Sequence, residues 1–166
     1  MSSNESFVRG FASRFLQLIA HYSPGARSLR VKLHRWRGVK IGNNVWIGYD
    51  CVLETSRPHL IQIDDNVELS VRVVLIAHFR GTEGIRIESN AFIGPGAIIL
   101  PGVVIGQGAV VTAGSVVSSS VPPMTMVQGN PARPVATFGV PLVGDTPIKS
   151  FYRTLRPIKK TPAAAK

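Results

Sequence analysis

The stretch from Ile85 to Ser120 reads IRIESN AFIGPG AIILPG VVIGQG AVVTAG SVVSSS, six consecutive blocks of six residues. The third residue of each block is Ile87, Ile93, Ile99, Ile105, Val111 or Val117. The same phase runs upstream as VKIGNN VWIGYD CVLETS (39–56) and IQIDDN VELSVR VVLIAH (61–78). Across all twelve blocks the third position is aliphatic, the first is small or aliphatic, and the fourth is glycine at Gly42, Gly48, Gly94 and Gly106. Alternate side chains of a strand share a face, so two apolar residues two apart point inward from each block. A small residue then lets the chain turn a tight corner, where positive φ is tolerated by glycine. A single block buries almost nothing. Stacked coils build a continuous ladder of Ile and Val, the mark of a solenoid, and β-branched residues suit that pleated surface. Strands of an ordinary β-sandwich hold no such fixed phase. The expected class is therefore all-β, a parallel β-helix of hexapeptide repeats.

Two segments interrupt the repeat, and in a solenoid insertions map to loops that carry function. Arg57–Leu60 inserts four residues, and Phe79–Gly84 replaces one block with the charged Arg80 and Glu83 and the paired Gly81 and Gly84. The second forms a loop protruding from one corner, directly after His78. Upstream, residues 6–22 place Phe7, Phe11, Phe15 and Leu18 or Ile19 at helical spacing. They predict a short amphipathic helix that ends before Ser23-Pro24-Gly25 and caps the open end of the solenoid. Attachment to a membrane surface is the second reading of that helix, behind the cap. The expected organisation is a helical, basic cap over 1–38, the β-helix over 39–138, and an extended, partly disordered basic tail over 139–166.

The formal net charge is +10, but it sits at the ends: +7 over residues 1–40, +6 over 149–166 and −3 between them. A nucleic-acid module would carry its basic stripe on the folded scaffold with aromatic platforms, so no nucleic-acid partner is expected. The 16 glycines show no G-X-Y period, which excludes collagen. The single cysteine, Cys51, forms no internal disulfide and fits a reducing compartment. No apolar run spans a bilayer and no signal peptide is read; the expected location is cytoplasmic.

With these residues in view, the chain resembles the hexapeptide-repeat acyltransferases, above all the small members that O-acetylate sugars and polysaccharide precursors. The resemblance covers roughly 36–136 and is strongest over the blocks from Ile85 and the closing segment VPPMTMVQGNPARPV, Val121–Val135. It implies a left-handed β-helix, a homotrimer with each active site in a cleft between neighbouring prisms, acetyl-CoA as co-substrate along that cleft, and no metal. It also implies a small-molecule or glycan acceptor.

The chemistry needs a base, because a hydroxyl is too weakly acidic to attack a thioester at neutral pH. Imidazole is well matched to that task, and backbone N–H groups of a rigid coil can serve the oxyanion. Of the four histidines, His21 and His34 lie in the basic flank and His59 in the small insertion. His78 closes a coil just before the protruding loop, where the resemblance puts the catalytic base. Its orienting partner is left open between Glu83 and a backbone carbonyl. Glu54 matches a position where sugar-acetylating relatives keep a polar acceptor-binding residue, and it reads equally as a solvated corner; Glu83 is the second acceptor-side candidate. Pro95, Gly96, Ala113 and Gly114 match coil positions lining the pantetheine arm. Arg133 matches a cation near the CoA phosphates, and Ser118, followed by Ser119, stands where some relatives carry Thr-Lys.

The same residues fit other classes less well. A zinc lyase like the γ-class carbonic anhydrases needs three histidines on adjacent coils, and only His59 and His78 lie in the repeat region. Serine acetyltransferases carry a long N-terminal helical domain that forty residues cannot supply. A non-catalytic β-helix scaffold is the runner-up, and an N-acetyltransferase on an amino sugar or xenobiotic would use the same base.

Overall fold

A computed structural model describes residues 7–78, 83–144 and 146–158. The repeat forms four coils of three short strands each. The first coil holds β1 (Lys40–Ile41), β2 (Trp46–Ile47) and β3 (Val52–Leu53); the second holds β4 (Ile61–Ile63), β5 (Glu68–Leu69) and β6 (Val74–Leu75). The third holds β7 (Ile85–Ile87), β8 (Phe92–Ile93) and β9 (Ile98–Ile99); the fourth holds β10 (Val104–Ile105), β11 (Val110–Val111) and β12 (Val116–Val117). Equivalent strands pair in parallel and build a three-faced prism: face I is β1-β4-β7-β10, face II contains β2-β5-β8-β11, and face III is β3-β6-β9-β12.

Register follows the block. Leu53 stacks on Leu75, Leu75 on Ile99 and Ile99 on Val117, so the third-position residues form unbroken ladders. All but Ile41 are buried. The glycines of the fourth position do a different job from the one expected of them. Left-handed φ falls at the sixth position instead, at Asn44, Asp50, Asn66, Arg72, Asn90, Gly96, Gly102, Gly108 and Gly114. At Gly94 a β-carbon would come within 2.7 Å of the Ala113 nitrogen of the next coil. Glycine there admits close stacking of backbone on backbone, which explains its place beside each tight corner.

The first coil leaves a free sheet edge, and unpaired edge groups need partners. Helices α1 (Phe7–Tyr22) and α2 (Leu29–Trp36) lie across it. Gln17 Nε2 donates to the Cys51 carbonyl at 2.8 Å and Ser13 Oγ to the Thr55 carbonyl at 3.3 Å. Arg35 donates to the carbonyls of Ile41 and Gly42, and the Ile47 amide donates to the Ala26 carbonyl. The cap is thus present, with an orientation that periodicity did not reveal. Ser13, Gln17 and Ala20 are buried, while Phe11, Phe15, Leu18 and Tyr22 face outward. Helix α2 had no sequence expectation.

After the fourth coil, β13 (Thr125–Gly129) joins face II and turns back through β14 (Ala132–Thr137). The tail, expected to be extended, is so only in part: α3 (Ile148–Thr154) folds back and β15 (Arg156–Pro157) pairs with β14. The cause is Phe151, buried against Phe138 with ring centroids 4.9 Å apart.

Candidate active site

The edge where face III passes into face I gathers the chemistry. Glu54 leaves β3 at this edge on the first coil, and His78 leaves β6 on the second. His78 Nδ1 lies 2.5 Å from Glu54 Oε2. The imidazole side chain is about half exposed and the carboxylate fully buried. Oε2 also accepts from the Ala77 amide at 3.0 Å, and Oε1 accepts from the amides of Ser56 (2.7 Å) and Arg57 (3.2 Å). Burial works to raise the Glu54 pKa, but the bonds from His78, Ser56, Ala77 and Arg57 outweigh it and hold the group below the ordinary carboxylate range. An ionised Glu54 accepts from Nδ1–H, which leaves the Nε2 lone pair facing away from the carboxylate.

Behind Glu54 stands a layer of polar side chains from the cap. Arg37, just past α2, donates through Nη2 to the carbonyls of Leu53 (2.8 Å) and Glu54 (2.6 Å). Its Nη1 donates to Gln17 Oε1 and to His34 Nδ1, the latter at 2.9 Å. Burial brings the guanidinium down to about 10, with Glu54 acting the other way, so it stays charged at neutral pH. His34 is buried and its Nδ1 must accept, since arginine has no lone pair to offer. Burial first, and then Arg37, lower its pKa to about 3.

This sets a pH dependence of stability. His34 stays neutral in the folded state down to about pH 3, whereas in the unfolded chain it takes up a proton near 6.5. Its contribution is complete above 6.5 and is lost as pH falls toward 3, at about 1.4 kcal/mol per unit. Urea unfolding is expected to show the wild type losing about 2 kcal/mol more between pH 6.5 and 5 than His34→Asn, whose amide oxygen can still accept from Arg37. Parallel losses in both proteins would contradict this.

Two sequence expectations change here. Glu54 does not face an acceptor: its carboxylate is buried and both oxygens are engaged. It is the orienting partner of His78, a role left open between Glu83 and a carbonyl. The available signal was coil length, because the insertion at Arg57–Leu60 makes the first turn 22 residues, as in Leu53 over Leu75, and so sets Glu54 beneath Ile76–His78. Glu83 is exposed and makes no hydrogen bond to His78; its carboxylate lies over Gly102 of the third coil. In the loop between them, 79–82 fall outside the described residues, Arg80 and Gly81 among them. Ser118 is exposed on the same edge, two coils above His78. Cys51 is no rival nucleophile, since burial pushes its thiol up to about 11.

The remaining candidates lie on another edge, where face II passes into face III. Pro95, Gly96, Ala113 and Gly114 are exposed there on the third and fourth coils. The Gly114 amide donates to the Pro95 carbonyl at 2.8 Å, and the space beyond Gly96 and Gly114 is open. The β13–β14 hairpin joins this edge through the Gly129 amide, 3.1 Å from Ser115 Oγ, and carries the exposed Arg133. One chain therefore does not bring His78 together with these residues. A hollow of about 360 Å³ on face I, lined by Lys40, Gln62, Asp64, Asp65 and neighbours, contains none of the candidates. Among the described residues no three His, Cys, Asp or Glu side chains converge to hold a metal.

Comparison with known proteins agrees with this architecture. Residues 84–119 match the family model described as bacterial transferase hexapeptide (six repeats). A hexapeptide-repeat-containing acetyltransferase from Vibrio cholerae O1 biovar eltor, solved with acetyl coenzyme A, superposes with a TM-score of 0.64 at 24% identity, over 82% of this chain and 90% of that one. A maltose O-acetyltransferase from Clostridium difficile 630 gives 0.54 at 24% identity, over 78% and 85%. Soybean serine acetyltransferase gives 0.53 at 30% identity, over 80% of this chain but 58% of its own length. No curated protein sequence matches. The matched repeats and the three-faced prism make this chain a hexapeptide-repeat parallel β-helix, the fold it shares with these solved acetyltransferases.

Proposed function

We propose that the chain transfers an acetyl group from acetyl-CoA to a hydroxyl of a sugar or polysaccharide precursor, with His78 as general base. The observation that carries this reading is the pair at 2.5 Å, a half-exposed imidazole held through Nδ1 by a buried carboxylate. Nε2 then takes the hydroxyl proton as the oxygen attacks the thioester carbonyl. The C–S bond breaks, and the imidazolium returns the proton to the departing thiolate, releasing the free thiol. Positioning both substrates in one cleft supplies much of the remaining acceleration.

The separation of the two candidate edges supports a site shared between copies. In a homotrimer, the His78 edge of one prism meets the Pro95, Gly96, Ala113, Gly114 and Arg133 edge of its neighbour. Acetyl-CoA lies between them with its phosphates toward Arg133 and, at the far end of the His78 edge, Ser118. The Vibrio cholerae relative was solved with acetyl coenzyme A, and the Clostridium difficile relative is by name a maltose O-acetyltransferase.

Calorimetry with acetyl-CoA tests the reading directly. Binding is expected in the wild type, unchanged in His78→Ala and weakened about tenfold in Arg133→Ala, the scale of one charge-assisted phosphate contact. Absence of binding in all three would turn the assignment toward a non-catalytic scaffold. Thiol release with a panel of sugars and amino sugars then separates O- from N-transfer.

A further inference from the structure

We propose that the capped end of the prism docks on an anionic lipid bilayer, with α1 and α2 lying in the plane of the headgroups. The observation is an inverted helix. Helix α1 spends its polar residues, Ser13 and Gln17, on the sheet edge beneath it and turns its apolar face outward. Phe11 is 64% exposed, Phe15 54%, Leu18 62% and Tyr22 84%. The rings of Phe11 and Phe15 are stacked, 6.4 Å apart. Trp36 of α2, 69% exposed, adds to the same end of the molecule. The fold does not use this surface, and exposed apolar patches of this kind mark binding sites.

Charge selects the occupant. Between Phe7 and Tyr49 there is no Asp or Glu. Arg14 on α1 and Lys32 and Arg35 on α2 are exposed. The first carboxylate after that stretch, Asp50, is occupied by His21 at 2.8 Å and Arg72. Aromatic and aliphatic side chains ringed by uncompensated cations match the interface of an anionic bilayer. Packing the same patch against a second copy would bring like charges together. Among the described residues no helix is long and apolar enough to cross a membrane, so the contact lies on the surface. The helices contact the first coil and His78 closes the second. With a helix about 10 Å across and roughly 5 Å per coil, the imidazole stands about 15 Å above the headgroup plane, within reach of a saccharide carried on a lipid. Resting on the transferase reading, this favours an acceptor saccharide attached to lipid.

The test is co-sedimentation of the full chain with vesicles of phosphatidylcholine alone and of phosphatidylcholine with a third phosphatidylglycerol. Binding is expected to the anionic vesicles and at least tenfold weaker to the neutral ones. The double variants Phe11→Ser/Phe15→Ser and Arg14→Glu/Lys32→Glu should each lose tenfold or more, with circular dichroism and acetyl-CoA affinity unchanged, since every altered side chain is exposed. No binding to either vesicle, or binding indifferent to both variants, overturns the proposal. So does a fall in oligomer mass in Phe11→Ser/Phe15→Ser, which would assign the patch to a second copy. Vesicle binding needs no acetyl-CoA, so its failure is distinct from failure of the transferase reading.

Discussion

Replacing His78 with alanine is expected to slow acetyl transfer by about a hundred- to ten-thousand-fold, the range a positioned general base supplies. The Michaelis constant for acetyl-CoA should stay within about twofold, because the imidazole acts on the acceptor hydroxyl and the uniform binding of the thioester is untouched. The substitution should also be benign to the fold. His78 is half exposed, and among the described residues its side chain bonds only a carboxylate that retains three backbone amides. Steady-state kinetics of thiol release, with circular dichroism beside them, decide the matter. A variant that keeps more than a tenth of the wild-type rate would remove His78 from the chemistry.

Glu54→Gln carries the second large effect and separates orientation from mere presence of the base. The carboxylate accepts from Nδ1–H and so holds the tautomer with a free lone pair on Nε2. A glutamine can turn its NH₂ group toward Nδ1, which then becomes the acceptor and moves the proton to Nε2. His78 remains in place but can no longer take a proton. The expected loss is about a hundredfold or more in kcat, with the acetyl-CoA Michaelis constant unchanged. Glu54→Ala should lose activity and stability together, since it leaves the buried amide of Ala77 and the part-buried amides of Ser56 and Arg57 without acceptors, at about 1–3 kcal/mol each where water cannot replace them. Equal kcat in wild type and Glu54→Gln would reduce the pair to a structural contact.

The bonds from His78, Ser56, Ala77 and Arg57 explain why such a carboxylate is tolerated inside, and Arg37 braces the corner that carries it. A buried charge is costly unless it is paired and bonded. The guanidinium behind it bonds the Leu53 and Glu54 carbonyls and is held in turn by Gln17 and His34. The cap helices therefore stabilise the corner from which the acid–base pair projects, so the cap and the site share one polar network.

How much of this was written in the residue order depends on the range of the interactions. The six-residue phase from Val39 to Ser120 determined the core, because alternation along a strand is local and the Ile and Val ladders follow from it. It also marked His78, through the block that breaks after it. The partner of His78 was not legible, because Glu54 lies 24 residues away and meets it only once one coil has closed over another. The glycines were legible as corners but not as contacts, since Gly94 answers to the Ala113 backbone of the next coil. The 3.6-residue period of α1 showed a helix with two faces and could not say which one turns inward. The tertiary structure decided that, for a physical reason. The open edge of the first coil presents the carbonyls of Cys51, Leu53, Glu54 and Thr55, and unpaired carbonyls need donors more than they need phenyl rings.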